Sequence, residues 1–164
     1  MLCFEDTDKN WRRTGRAAIY RLNKIGLNKK RAEKLPHVPV ISIIDDDHSV
    51  REATSSLVQS LGYNTATFGS AEEYLCSGRL AEFSCVITDL HMPGLSGAEL
   101  QSQLLADGYR TPIIFMTSFA EDRIRARVLR AGAFGFLDKP VDDRRLIECL
   151  DEALVETRHL PMQQ

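Results

Sequence analysis

The amino-acid sequence predicts an α/β fold, a doubly wound five-stranded parallel sheet with five helices. Two observations support this fold class. From residue 38 onward, short β-branched or apolar runs alternate with longer segments whose apolar residues recur at helical spacing. Strands separated by helices are joined by right-handed crossovers, which place a parallel sheet between two helix layers. The alternating segment is long enough for one such core and too short for a second domain beside it.

The first two strands and the helix between them are predicted from adjacent segments. Residues 40–44 form a nearly continuous β-branched run, as expected of a central strand covered on both faces. Residues 63–68 are predicted to form the second strand, and Ser70 with Glu73 predicts a capping box that opens a short helix. Between the two strands, a helix that ends before Gly62 carries on its buried face Val50, Ala53, Thr54, Leu57 and Leu61.

Three further strands alternate with three further helices. The strands are predicted at residues 83–88, 112–116 and 133–137, each a short apolar run. The loop at residues 91–97 connects the first of these strands to its helix. The helices are predicted from the spacing of Leu100, Leu104 and Leu105, of Ile124, Val128 and Leu129, and of Leu146, Ile147, Leu150 and Leu154.

Composition argues against several classes of protein. The sequence is 43% hydrophobic and 27% charged, which is typical of a soluble globular chain. No stretch approaches the roughly 18 apolar residues of a membrane span, and the N-terminal residues lack the apolar segment of a secretory signal, so a cytoplasmic protein is expected. The four cysteines show no CxxC spacing, which argues against a thiolate metal site.

Charge divides the sequence after residue 37. Residues 1–37 contain ten Lys and Arg against four Asp and Glu, a net charge of +6, whereas residues 38–164 contain eleven against nineteen, a net charge of −8. We therefore expect residues 1–37 to form a basic N-terminal extension, disordered or weakly helical, followed by a folded domain at residues 38–157 and a short tail at residues 158–164. An arm that binds nucleic acid or an anionic membrane is the alternative interpretation of the extension.

Polar side chains stand at four points where a strand-like run stops. They are the acidic run at residues 45–47, Asp89, Thr117 and Lys139. Ligands of open α/β sheets bind outside the carboxyl ends of the strands, so these side chains are expected to share one pocket. Carboxylates together with a hydroxyl and an ammonium suit a divalent cation and a phosphoryl group. The pattern therefore predicts a phosphoryl-accepting switch.

Four motifs resemble the receiver domain of bacterial two-component response regulators. They are residues 44–51, 89–97, 116–118 and 138–140, and their joint spacing is far more specific than any one of them. The residues around Asp89 and Lys139 most resemble the nitrogen-fixation and nodulation regulators, whose receivers precede a LuxR-type helix-turn-helix. The resemblance covers roughly residues 38–157. It implies a flavodoxin-like strand order of 2-1-3-4-5 and a signalling receiver rather than a metabolic enzyme.

The resemblance also implies a role for each residue of the predicted pocket. Asp89 would accept a phosphoryl group from the phosphohistidine of a sensor histidine kinase or phosphotransfer protein. Mg²⁺ would be bound by Asp45, Asp46, Asp89 and the backbone carbonyl of His91. Lys139 would hold the phosphoryl oxygens as a fixed ammonium, aimed inward by a cis peptide bond to the following proline.

The same resemblance implies a switch. Thr117 would move inward to bond the new phosphate, and Phe136 would then change rotamer on the fifth strand. The family often has Tyr at this position, and Phe136 lacks the hydroxyl that a tyrosine would use. The face around the fourth helix, fifth strand and fifth helix would change with it, and a phosphorylation-dependent homodimer is expected to form near the fifth helix.

Two other functions remain open at this stage. A phosphatase of the haloacid-dehalogenase type would use Asp45 as nucleophile, with Asp47, Thr117, Lys139 and the Asp142-Asp143 pair as the other parts of its site, and would leave Asp89 without a task. An interaction module on the same fold would need no phosphorylation. No DNA-binding domain is expected within these residues, so the sequence indicates either a stand-alone receiver or part of a transcription factor. Asp47 is expected to cap the first helix, with His48 and Ser49 as alternatives.

Overall fold

The computed structural model describes residues 38–118 and 121–159. The basic extension predicted at residues 1–37 and most of the predicted C-terminal tail lie outside the described residues. Five strands alternate with five α-helices, and a short 3₁₀ turn at Leu80–Glu82 precedes the third strand. The strands are β1 (Val40–Ile44), β2 (Asn64–Phe68), β3 (Phe83–Asp89), β4 (Ile113–Thr117) and β5 (Gly135–Asp138). The helices are α1 (His48–Ser60), α2 (Ala71–Cys76), α3 (Gly97–Ala106), α4 (Asp122–Arg130) and α5 (Asp143–His159).

The strands form one parallel sheet in the order β2-β1-β3-β4-β5. The predicted fold class and strand order are therefore confirmed. From β1, the chain adds β2 on one side of the sheet and then β3, β4 and β5 on the other side. The carboxyl ends of β1 and β3 therefore flank the crevice where such sheets bind their ligands. The register aligns Asp89 with Met116 and Thr117 with Asp138, so the ends of β3, β4 and β5 lie side by side.

The core lies on both faces of the sheet because side chains alternate along each strand. On β1, Ile41 and Ile43 pack toward α1 and α5, whereas Ile44 packs toward α2, α3 and α4. On β4, Ile114 and Phe115 divide in the same way. Burying one such side chain contributes about 1.5–3 kcal/mol. Two hydrophobic layers thus fix the sheet from both sides, which gives the strand ends a rigid platform.

The buried face of α1 differs from the prediction. Ala53 and Leu61 are exposed, whereas Ser55 and Val58 are buried. Leu61 lies beyond the last helical turn as the C-cap. Ser55 is buried because its hydroxyl lies 2.8 Å from the Thr65 hydroxyl on β2, so a polar contact joins α1 to this edge strand. The prediction assigned the face from apolar spacing alone and missed this hydrogen bond.

Strand β5 begins two residues later than predicted. The Ala133 N–H donates to the Val128 carbonyl at 2.9 Å, so residue 133 closes the end of α4 instead of joining the sheet. Gly132 lies between them with φ of +92°, a conformation that favours glycine. The strand then pairs from Gly135 to Asp138.

One predicted helix cap is confirmed, and a second differs in part from the prediction. Asp47 caps α1, with its side chain accepting from the Ser49 and Val50 N–H groups. Ser70 accepts from the Glu73 N–H, as predicted, but the Glu73 carboxylate accepts from the Gly69 N–H, so the reciprocal half of the box is displaced by one residue. A complete capping box lies at the start of α3.

Candidate functional site

The predicted pocket forms at the carboxyl edge of the sheet. Asp45 follows β1, Asp89 ends β3, Thr117 ends β4 and Lys139 follows β5. Asp45, Asp89 and Thr117 are all buried, with at most 8% of each residue exposed. Four remote segments therefore contribute side chains to the same edge, as the sequence predicted, because parallel strands in adjacent positions end together.

Lys139 connects the two buried carboxylates. Its Nζ lies 2.7 Å from Asp45 Oδ2 and 2.6 Å from Asp89 Oδ2. Only 13% of the lysine side chain is exposed, so both contacts lie in a largely dry environment. The peptide bond between Lys139 and Pro140 is cis, as the resemblance implied. Charge-assisted bonds of this length are among the stronger hydrogen bonds in proteins.

The remaining oxygens of the two carboxylates are held by the main chain. Asp45 Oδ1 accepts from the Asp47 N–H at 2.9 Å, and Asp89 Oδ1 accepts from the His91 N–H at 3.0 Å. The Arg51 guanidinium lies beside this site and donates to the Asp45 carbonyl at 2.6 Å. Each carboxylate is therefore oriented by one backbone donor and by Lys139, which fixes where its oxygens point.

Burial and charge shift the acid–base properties of this site. Exclusion from water raises the pKa of Asp45, and the nearby Asp89 carboxylate adds to this effect, while the hydrogen bond from Lys139 opposes it. For Lys139, burial would lower the pKa, but the hydrogen bonds to Asp45 and Asp89 raise it overall. Lys139 is therefore a permanently charged group near neutral pH.

Asp46 adds a third carboxylate to the pocket. Asp45, Asp46 and Asp89 each present an oxygen within 4.8 Å of the others, and Asp46 is exposed to solvent. Three carboxylates against one ammonium leave two net negative charges. An all-oxygen donor set with this charge suits a hard divalent cation such as Mg²⁺. The residues present therefore fit the cation that the sequence predicted.

The loop between β3 and α3 is held by contacts that the sequence analysis did not identify. Glu72 on α2 accepts from the Leu95 N–H at 2.7 Å. Ser96 and Glu99 form a reciprocal capping box that begins α3, which the spacing S-x-x-E would have predicted. Gly97 packs so closely that a side-chain carbon there would overlap the Asp89 carbonyl oxygen. These contacts bring the loop against the candidate site.

The two predicted switch residues also have defined partners. Thr117 Oγ1 lies 3.1 Å from His91 Nδ1, so the exposed histidine ring contacts the buried threonine. Phe136 is 9% exposed, and its ring lies beneath the Arg125 guanidinium at 4.9 Å. No role was predicted for the His91 side chain or for Arg125, and neither contact has a signal in the sequence.

Asp142, which only the phosphatase interpretation would use, does not join the carboxylate cluster. Asp142 precedes α5, and its carboxylate accepts from the Arg144 and Arg145 N–H groups at 2.9 and 3.2 Å. It is therefore a helix cap, and it is absent from the cluster formed by Asp45, Asp46 and Asp89. Asp89, which that interpretation leaves without a task, belongs to that cluster and contacts Lys139.

The described cysteines lie outside this arrangement. Within residues 38–118 and 121–159, Cys76, Cys85 and Cys149 form no disulfide bond. Burial raises the pKa of both Cys85 and Cys149, which disfavours their thiolate forms. Also among residues 38–118 and 121–159, none of the helices combines the length and hydrophobicity needed to cross a bilayer.

Comparison with known proteins identifies the family of this chain. A family model described as the response regulator receiver domain matches residues 41–151. The chain belongs to the response regulator receiver family. All four clustered strand ends lie within the matched residues. The resemblance noted in the sequence is thus confirmed at the level of the family.

This receiver is also similar to individual regulatory proteins and to a solved structure. The transcriptional regulatory protein TdiR of Thauera aromatica is 31% identical, over 81% of this chain and 59% of TdiR. Nodulation protein W of Bradyrhizobium diazoefficiens is 34% identical, over 73% of this chain and 52% of that protein. The crystal structure of FixJ-N superposes with a TM-score of 0.67 at 27% identity, covering 77% of this chain and 99% of that one. The chain spans roughly half the length of these curated relatives.

Proposed function

We propose that this receiver accepts a phosphoryl group on Asp89 in a Mg²⁺-dependent reaction and thereby switches a protein-interaction face. The observation that carries the proposal is the 2.6 Å contact between Lys139 Nζ and Asp89 Oδ2 inside a cluster of three carboxylates. A lysine and two neighbouring acids around one carboxylate are poorly explained by fold stability, because a buried charge cluster is costly to maintain. They are well explained by the need to hold a divalent cation together with a phosphoryl group.

In the proposed reaction, an Asp89 carboxylate oxygen attacks phosphorus on a partner's phosphohistidine. The new bond is the P–O bond of an aspartyl phosphate, and the P–N bond breaks with its electron pair returning to the imidazole nitrogen. A carboxylate is already ionised near neutral pH, so the step needs no general base. With 11% of its side chain exposed, Asp89 is open to a donor from the solvent side.

Lys139 and the acidic residues would have different electrostatic roles. The Lys139 ammonium would contact the phosphoryl oxygens and stabilise the charge that they gain in the transition state. Asp45 and Asp46, with Asp89 and the backbone carbonyl of His91, would hold Mg²⁺. When bound, the metal would offset the repulsion between the carboxylates and the incoming anionic group.

Thr117 and Phe136 are the proposed switch residues. Thr117 is the last residue of β4, and the preceding residue, Met116, pairs with Asp89 at the end of β3. Phe136 packs against Phe115 with ring centroids 6.3 Å apart, and it lies on β5 beneath Arg125. A shift of Thr117 toward a phosphoryl group would bias this side of the sheet and change the face formed by α4, β5 and α5.

The proposed partners follow from this chemistry. A phosphohistidine donor is supplied by a sensor histidine kinase or a phosphotransfer protein, and the exchange would take place in the cytoplasm. The curated relatives that carry regulatory names suggest control of transcription by the whole protein. The α4, β5 and α5 face is the proposed site of a phosphorylation-dependent homodimer.

The test is to locate the acyl phosphate. The full chain is incubated with acetyl phosphate and Mg²⁺, the acyl phosphate is reduced with borohydride, and the modified residue is mapped by peptide mass spectrometry. We expect modification at Asp89, none after Asp89→Asn, and none when EDTA removes the metal. Asp142→Asn is the matched control, because Asp142 is an acid at the same edge with a capping role, and it should be phosphorylated normally.

Two outcomes would overturn the proposal. Modification at Asp45 would support the phosphatase mechanism, because Asp45 would then be the nucleophile. Failure of the wild-type chain to form any acyl phosphate, together with partner binding that Asp89→Asn leaves unchanged, would support an interaction module that needs no phosphorylation.

A further inference from the structure

The side chain of His91 contacts the proposed switch residue. His91 Nδ1 lies 3.1 Å from Thr117 Oγ1, although the two residues are 26 positions apart in the sequence. Thr117 is 1% exposed, whereas His91 is exposed at the start of the loop after β3. The histidine therefore reaches from the surface to a buried hydroxyl at the end of the neighbouring strand.

The main chain of His91 has a different partner. Its N–H donates to Asp89 Oδ1 at 3.0 Å, and the adjacent Leu90 N–H donates to the Met116 carbonyl at 3.1 Å. A further backbone bond runs from the Gly97 N–H to the Leu90 carbonyl at 3.1 Å. The loop is thus held beside the site by main-chain bonds that do not involve the imidazole. Positioning the loop does not explain the contact between the ring and Thr117.

We propose that the His91 imidazole is a positioning residue that holds the Thr117 hydroxyl in its resting orientation and releases it when Asp89 is phosphorylated. This inference rests on the proposed function of Asp89. Phosphoryl oxygens accept hydrogen bonds, so Thr117 can bond them only by donating its single hydroxyl proton. When His91 carries its proton on Nε2, that hydroxyl proton is already donated to Nδ1. In the other tautomer the proton is spared, but the bond must still break for the hydroxyl to move.

The contact makes His91 a link between the two parts of the site. Its main chain touches the residue that is modified, and its ring touches the residue that responds. In the unmodified state, the Thr117 hydroxyl is hydrogen-bonded to the His91 ring. In the phosphorylated state, it would be bonded to the phosphoryl group instead. By linkage, removing the ring should raise the affinity for any ligand that favours the phosphorylated arrangement.

The expected size of the effect is set by one exposed hydrogen bond. A typical intramolecular hydrogen bond shifts an equilibrium by about two- to tenfold. Because the His91 ring is exposed and competes with water, the lower half of this range applies, about two- to fivefold. This change is large enough to measure and too small to abolish switching.

The experiment uses beryllium fluoride with saturating Mg²⁺, a phosphoryl mimic that binds aspartate carboxylates. Fluoroberyllate is titrated into the full wild-type chain and into His91→Ala, His91→Asn and His91→Gln, and its affinity is measured by calorimetry. Asparagine can place an amide atom where Nδ1 lies, because both are bonded to Cγ. Glutamine places its amide one bond farther out, so it serves as the polar control of similar size.

We expect His91→Ala and His91→Gln to bind fluoroberyllate about two- to fivefold more tightly than the wild type, and His91→Asn to retain the wild-type affinity. Equal or weaker binding by His91→Ala would overturn the inference. It would also be overturned if His91→Asn behaved like His91→Ala, because the hydrogen bond would then not be the cause.

A second measurement separates this inference from the proposed function. Three-bond couplings to the Thr117 methyl group report its side-chain rotamer in the protein without fluoroberyllate. We expect the wild type and His91→Asn to share the same couplings, and His91→Ala to show different ones. Failure of the wild type to bind fluoroberyllate would reject phosphoryl acceptance at Asp89. Couplings in His91→Ala that match those of the wild type would reject the positioning role of His91.

Discussion

Lys139 Nζ lies 2.7 Å from a carboxylate oxygen of Asp45, a residue with no exposure to solvent. The same ammonium also contacts Asp89, so one positive charge is shared between two buried negative charges. Burial raises the pKa of Asp45 because the carboxylate has lost its water. A carboxyl whose pKa is higher in the folded state contributes its full stability below its unfolded pKa, and this contribution is lost as the pH rises through its folded pKa.

Asp45→Asn is therefore expected to stabilise the metal-free protein at neutral pH. The amide oxygen can still accept a hydrogen bond from one of the two donors, Lys139 or the Asp47 N–H, and the ammonium is then matched by one buried carboxylate. We expect a gain of about 1 kcal/mol, or roughly 3–5 °C in Tm for a domain of this size. Thermal unfolding in EDTA provides the measurement. Asp46→Asn is the control and should change stability by less than about 0.5 kcal/mol, because Asp46 is exposed.

Added Mg²⁺ should reverse this order. A cation that binds only the folded state stabilises it in proportion to its affinity, so the wild type should gain stability and Asp45→Asn should gain little. A variant that is less stable than the wild type in EDTA would contradict the prediction, as would equal stabilisation of both proteins by Mg²⁺.

Gly97→Ala tests the close approach of the loop to Asp89. A side-chain carbon at Gly97 would overlap the Asp89 carbonyl oxygen and lie 3.1 Å from the Phe115 ring. Alanine normally favours a helix over glycine by about 1 kcal/mol, but overpacking costs about 1–3 kcal/mol, so a net loss of stability is expected. Asp89 would shift as well, and phosphorylation by acetyl phosphate should slow. Urea unfolding and the rate of acyl phosphate formation are the two measurements.

Gly108→Ala is the matched control for this substitution. Gly108 has φ of +88° and no atom within 4 Å of the added carbon, so alanine there causes backbone strain without a contact at the site. It should lose roughly 1 kcal/mol of stability and retain the phosphorylation rate. Equal slowing of phosphorylation in both variants would show that lost stability, not the displaced carbonyl, is the cause.

The positions of the strand ends could be predicted because they follow from local composition and one topological rule. Residues 40–44 and 113–116 are apolar runs that stop at Asp45 and Thr117, and parallel strands align their carboxyl ends. The partners of these side chains could not be predicted in the same way. The contact of His91 with Thr117 depends on a tertiary arrangement that leaves no periodicity in the sequence.

Two local features show where sequence patterns were insufficient or overlooked. The burial of Ser55 depends on the Thr65 hydroxyl across α1 and β2, so apolar spacing alone predicted only part of the buried helix face. By contrast, Ser96 and Glu99 carry the spacing of a capping box, and this signal was present but unused. The burial of Ser55 depends on a residue of another element, whereas the capping box of Ser96 and Glu99 is a local motif that the sequence itself contains.

Glu72 is expected to make the loop before α3 sensitive to low pH. The pKa of Glu72 is lowered first by its own backbone N–H and then by the Leu95 N–H. A carboxyl whose pKa is lowered by folding is ionised at pH values above its unfolded pKa and keeps its hydrogen bond there. The bond is lost as the pH falls through the folded pKa and the carboxyl is protonated. The Leu95 amide signal should therefore shift in NMR spectra below the ordinary Glu pKa of 4.5.

Glu72→Gln provides the control for this titration. Glutamine can still accept from the Leu95 N–H, but it does not ionise, so the Leu95 signal should stay constant across the same pH range. A titration of Leu95 that persists in Glu72→Gln would show that another acid is responsible.

Arg125 is expected to hold Phe136 in its buried rotamer. The guanidinium lies 4.9 Å above the ring centroid and 3.9 Å from the Asp138 carboxylate. Arg125→Ala should cost about 0.5–1 kcal/mol and broaden or shift the Phe136 ring signals in NMR spectra. Asp138→Asn removes only the exposed ion pair, which contributes about 0–1 kcal/mol, and it should leave the ring signals in place. If Asp138→Asn perturbs Phe136 as strongly as Arg125→Ala does, the ion pair rather than the cation–π contact controls this ring.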